Sequence, residues 1–173
     1  MSGDGEIFLL DEDVVFRDRP MRVTGRAQLE GASGQLTFRY ALSDPGGAPV
    51  LLEEGEGRFA LMRGFPPAAP LRTSKDTVTV GAEKYTLVGV RKLKLLDLGG
   101  MVPGVAPKAP LILSGIFEGP MGTLMRELVP GTTTQVYYLL KPLAEGEVLS
   151  AAKYTAGKDA AARSAAVRAL NGD

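Results

Sequence analysis

One alternating pattern occurs twice in this chain, and it constrains the fold more than any other feature. Asp13-Val-Val-Phe-Arg-Asp-Arg-Pro-Met-Arg-Val-Thr-Gly25 is echoed by Asp76-Thr-Val-Thr-Val-Gly-Ala-Glu-Lys-Tyr-Thr-Leu-Val-Gly89. Both run from an acid through a short β-branched stretch and a polar turn to an alternating strand and a glycine, the form of a β-hairpin. Gly25 and Gly89 fall on the inward face of their strands, where a glycine marks a bulge, the sharp bend of a small barrel or a close backbone approach.

The stretch after each hairpin turn alternates with a period of two. Met21, Val23, Ala27 and Leu29 are separated by Arg22, Thr24, Arg26, Gln28 and Glu30, the signature of a half-buried strand. Beyond the turn Gly31-Ala-Ser-Gly34, the residues Leu36, Phe38, Tyr40 and Leu42 form one face, with Gln35, Thr37 and Arg39 on the other. Asp44-Pro-Gly-Gly47 is a strong turn, because proline presets φ and glycine accepts positive φ. Residues 50–52 and 58–62 complete a first meander. The second hairpin is followed by a longer strand in which Leu93 and Leu95 alternate with Lys92 and Lys94, then by strands over 111–117, 124–129 and 135–140.

These readings divide the chain into a first β unit (1–65), a proline-rich linker (66–75), a second β unit (76–145) and a C-terminal tail (146–173). In the tail, residues 159–170 are strong helix formers stopped by Asn171-Gly172. The expected fold is mainly β: two similar small β-barrels or curled antiparallel sheets packed together by internal duplication, plus a short C-terminal α-helix.

The side-chain inventory removes several chemistries. Histidine and cysteine are both absent, so the usual nucleophile–base pairs and thiolate metal sites cannot be assembled. No phosphate-cradling glycine motif precedes a helix. No enzymatic activity, cofactor or metal is expected on these grounds. Twenty basic and twenty acidic side chains cancel, so nothing global steers the chain to nucleic acid, and no nucleic-acid partner is expected. The acidic start of the chain precedes only four apolar residues, 7–10, and no apolar run approaches the roughly 18 residues of a spanning helix. A cytoplasmic protein is expected.

Three groups invite a functional reading. The acidic clusters Asp11-Glu-Asp13 and Glu53-Glu-Gly-Glu56 would serve a carboxylate-dependent hydrolase only if they converge in one cleft; solvation of turns is the plainer reading. Lys84, Arg91, Lys92 and Lys94 form a polar strand face, either simply solvated or turned to an anionic partner. The segment 98–110 is a Gly/Pro loop carrying Met101, Val102 and Val105, with Lys108 its one charge after Asp97. Such a loop covers the core, meets a protein partner or touches a membrane interface. Met101, Val102, Val105, Lys92 and Lys94 are therefore the partner-binding candidates of a non-enzymatic adaptor. The alternative is a small-molecule or lipid-binding β-barrel, with Phe38, Tyr40, Tyr85 and Tyr138 lining its cavity.

Both hairpins, the Tyr40-Ala-Leu42 strand ahead of Asp44-Pro-Gly-Gly47, Leu51-Leu-Glu53 after it, and the Asp76…Tyr85…Gly89 segment together resemble a bacterial domain family of unknown function with two tandem β units. The resemblance covers residues 6–145, and the chain lacks the tryptophans that members often carry. It implies no catalytic residues. Members are often encoded beside membrane-stress proteins of the phage-shock-protein-A type, which implies an accessory role in a bacterial envelope-stress system.

Overall fold

A computed structural model describes residues 7–47, 49–65, 71–108, 111–128 and 132–170. Twelve strands and one helix follow in chain order: β1 (Asp13–Phe16), β2 (Arg19–Glu30), β3 (Leu36–Ser43), β4 (Val50–Gly55), β5 (Arg58–Gly64), β6 (Leu71–Thr73), β7 (Thr77–Val80), β8 (Glu83–Gly100), β9 (Leu111–Gly119), β10 (Gly122–Leu128), β11 (Gln135–Pro142), β12 (Val148–Ser150) and α1 (Ala151–Leu170).

All twelve strands belong to one antiparallel sheet, ordered β12-β1-β2-β3-β4-β5-β11-β10-β9-β8-β7-β6. A further pairing joins β2 to β8, matching Gly25 with Gly100 and Glu30 with Lys94. That pairing closes the strands from β2 round to β8 into an eight-stranded barrel and leaves β12-β1 and β7-β6 outside it as two flaps. Two small barrels or curled sheets were expected; both stretches instead contribute to one sheet and a single closure. Each meander alone would leave two open edges; β5 pairs with β11 and β2 with β8, so the edges of one meander are satisfied by those of the other.

The glycine bulges make this possible. The β2–β3 register shifts between Val23 and Gly25, and the β8–β9 register shifts between Leu87 and Gly89. Before its bulge β2 turns Met21 and Val23 to a core outside the barrel wall; after it Ala27 and Leu29 point into the barrel. The bulge in β8 has the same effect, with Tyr85 and Leu87 in an outer core and Leu93 inside. One extra residue thus reverses which side of a strand is apolar-facing.

Three apolar layers result. Phe8, Val14, Phe16, Phe38, Tyr40, Leu42, Leu52, Leu61 and Val148 pack between the β1–β12 flap and the outer surface of the β3–β5 wall. Val78, Tyr85, Phe117 and Leu124 pack beneath the β6–β7 flap. The barrel interior holds Ala27, Leu29, Leu51, Met62, Leu93, Ile112 and Met125. Phe38, Tyr40 and Tyr85, expected inside the barrel, therefore lie on its outer wall, and Tyr138 alone of the four packs inside. Both faces of β3 are buried, so alternation could not say which one faces the interior.

Smaller differences have local causes. The β1–β2 turn is two residues, Arg17 and Asp18, both at positive φ (49° and 65°), so Arg19 and Pro20 already belong to β2. Of the expected linker, residues 66–70 lie outside the described residues and Leu71–Thr73 is a strand. The stop at Asn171-Gly172 and residues 109–110 of the apolar loop also lie outside them. The helix begins at Ala151, eight residues earlier than residue 159, because Ser150 at the end of β12 accepts a hydrogen bond from the Lys153 amide (3.2 Å) and caps it. It has no buried residue. No helix among the described residues is long and apolar enough to cross a membrane.

Candidate functional site

Charge occupies the middle of the barrel. Arg39 on β3 is wholly buried, and its guanidinium donates to both oxygens of Glu127 on β10 at 2.8 and 2.5 Å. Its Nε donates to Glu53 on β4 at 3.2 Å. Glu53 also receives a two-pronged contact from Arg91 on β8, at 2.7 and 3.0 Å, and the Ser114 hydroxyl on β9 donates to Glu127 at 2.5 Å. Two cations and two anions balance, and β3, β4, β8, β9 and β10 are tied together across the interior. Only side chains pointing inward can join β3 to β10, so these contacts themselves mark the inner face.

Electrostatics follow from burial and pairing. Burial alone would raise the Glu53 carboxyl, but the hydrogen bonds and charges of Arg91 and Arg39 outweigh it and hold it below its ordinary value of 4.5. Burial works against the Arg39 charge too; the Glu127 hydrogen bond and the charges of Glu127 and Glu53 reverse that and keep it protonated. On the outer wall, Tyr40 is pushed up to about 12, chiefly by burial, while its hydroxyl accepts from the Phe8 amide at 3.2 Å.

The network reaches solvent at one place. Arg91 keeps 27% of its side chain exposed, and its Nε is buried without a partner among the described residues. It sits on a part of β8 that is paired on one edge only. On the edge away from β9, pairing with β7 ends at Thr86, the Leu87 amide donates to Asp76 (2.8 Å), and pairing with β2 resumes at Lys94. Among the described residues nothing pairs with that edge at 88–93. At about 3.3 Å per residue the notch is roughly 20 Å long. An added Cβ at Gly89 would meet nothing within 4 Å among the described residues, so there is space on the inward face of the strand at that point.

The outward face beside the notch is apolar and basic. Val88 and Val90 are 62% and 73% exposed, and Leu111 and Leu113 on β9 are 45% and 51% exposed. Lys92 lies opposite Leu113 and Lys94 opposite Leu111. Both lysines are exposed, and neither forms an ion pair among the described residues. The two flaps cover the outer wall on either side and leave this strip bare.

The candidates named from sequence thus separate. Lys92 and Lys94 belong to the strip. Met101 lies past the far end of β8 and is 79% exposed, whereas Val102 is 1% exposed and, with the half-buried Val105, plugs the barrel end against Ala27, Leu51, Met62 and Met125. Val102 offers no surface to a partner. The acidic clusters lie apart: Asp13 pairs with Arg22 on the surface (3.2 Å), Glu53 is inside the barrel, and Glu54 accepts from the Gly57 amide (2.9 Å). No group of three or more carboxylates among the described residues could hold a metal ion. Sequence reading missed Arg39 and Glu127 as a buried pair, and it assigned Arg91 to a solvated face.

Comparisons with family models, curated proteins and solved structures returned no match.

Proposed function

We propose that this chain is a non-enzymatic interaction module, an adaptor that binds a protein partner at the outward face of β8 and β9. The carrying observation is the bare strip of Val88, Val90, Leu111 and Leu113 with Lys92 and Lys94 beside it. Contiguous exposed apolar side chains on a rigid sheet mark an interaction surface. The charged groups of the interior neutralise one another, an arrangement that serves to fix the barrel rather than to turn over a substrate. Arg39, Met125, Leu29 and Leu93 fill the interior, which argues against the alternative of a barrel that encloses a lipid. The two meanders are read as copies of one unit, on the support of matched bulges at Gly25 and Gly89 and of flap hairpins paired alike. If the chain shares the role implied by its resemblance to the two-unit bacterial family, the partner belongs to an envelope-stress system.

Affinity capture from the native host, read by mass spectrometry, tests this. The intact chain and a Met101→Ser variant are expected to retain one discrete protein, and a variant carrying V88S, V90S, K92E and K94E to lose it. Capture of nothing specific by the intact chain removes the adaptor reading.

A further inference from the structure

We infer that the notch in β8 accepts an extended segment of the partner as an added strand, so that recognition runs through backbone hydrogen bonds at residues 88–93. This deepens the adaptor reading and rests on it.

Residues 89–93 are paired with β9 on one edge, Val88 being the extra residue of the bulge, while on the other edge the alternate residues that turn their amides and carbonyls away from β9 have no partner among the described residues. Such an edge is a template for a further strand. The corresponding part of β2 shows what fills this position elsewhere in the fold. Val23 exchanges hydrogen bonds with Asp11 and Glu12 (2.8 and 2.9 Å), and the residues from Gly25 onward pair with β8. After Gly89 no described strand takes that place.

Side chains define the occupant. Outward, Val88 and Val90 favour β-branched neighbours and Lys92 favours an acid, since cross-strand pairs of these kinds are the stabilising ones. Inward, the open space at Gly89 admits a large side chain above the barrel interior. The occupant is therefore an extended partner segment with apolar residues at alternate positions and a Glu or Asp placed to meet Lys92. A second copy of this chain fits less well, because a lysine on an edge discourages self-pairing.

The test uses the full chain and fluorescein-labelled nine-residue peptides, with Val or Ile at three alternate positions, Glu at the next such position, and Phe or Thr between. Peptides with Lys in place of Glu form the control set. Expected are binding by anisotropy, about tenfold weaker with Lys, slowed exchange at those amides of 88–93 that point away from β9, and loss of binding when alternate peptide amides in one register, but not the other, are N-methylated. Absence of binding, protection elsewhere, or indifference to N-methylation overturns strand addition. So does protection of the notch-facing amides of 88–93 in the free chain, independent of concentration if the chain fills its own notch and rising with concentration if a second copy does. A native partner captured by the strip while any of these holds leaves the adaptor reading standing and removes only the strand mechanism.

Discussion

Gly25 and Gly89 occupy matching places in sequence and perform the same change of face, yet their surroundings differ. A Cβ on Gly25 would lie 2.0 Å from the Met101 carbonyl oxygen, so the chain passing over the barrel end would have to move. Gly25→Ala is expected to cost at least 2 kcal/mol or so in urea denaturation, within the range of overpacking. Gly89→Ala meets open space at a φ outside the left-handed region, and should be neutral or stabilising by up to about 1 kcal/mol through the unfolded chain. The buried network behaves differently again. Arg39→Met strands Glu127 without its cation, and a loss of about 3–5 kcal/mol is expected. Adding Glu127→Leu restores much of it, because Arg91 and Glu53 still balance each other; a double-mutant cycle measures the difference. Glu53 adds a pH dependence. Its carboxyl is held below 4.5, so the stability it contributes is full above that value and disappears as the pH falls through its lower folded-state value. Denaturation midpoints measured downward from pH 5 should drop, and Glu53→Gln should flatten that drop. Little of this was legible in the sequence. Arg39 stands between Phe38 and Tyr40 in a strand buried on both faces, and a period of two cannot distinguish a charge paired within a barrel from one in water.

Elements were read more successfully, since each strand carries its own alternation and turn chemistry. The hairpins and the helix stand where their local patterns put them, with ends shifted by capping and by the two-residue turn at Arg17 and Asp18; β8 runs on through Leu98–Gly100, read as the start of the loop, because these residues pair with β2. What alternation cannot carry is a strand that changes sides midway, and both β2 and β8 do. The helix shows the opposite limit. Its sequence favours it locally, yet it meets the sheet only near its start, where the Tyr154 hydroxyl bonds to Asp18 (3.1 Å). Truncation after Lys158 should remove most of the helical circular-dichroism signal and move the denaturation free energy by no more than about 0.5 kcal/mol, as expected for residues that bury nothing. The apolar loop after β8 was legible in composition and ambiguous in consequence: Val102 and Val105 seal the barrel, and Met101 is the part left outside.

For the molecule as a whole, the pairings of β5 with β11 and of β2 with β8 make the two meanders one cooperative body. Unfolding is expected as a single transition, with tyrosine fluorescence and far-ultraviolet circular dichroism superimposing across urea; two separated transitions would mean that the halves stand alone. No pattern in the chain announced that closure, because β2 and β8 are far apart in sequence and each looks complete as a member of its own hairpin. A further long-range pairing, Val14 to Ser150 between β1 and β12, has a mechanical consequence. The strands are antiparallel, so the chain entering β1 and the chain leaving β12 emerge at the same end of one short ladder. A pull applied at these two points loads its hydrogen bonds in succession, as a zipper is loaded, and never all together in shear. Against force along that axis the flap is the first part to yield, peeling away to uncover Phe8, Phe16 and Tyr40 while the barrel behind it is still closed.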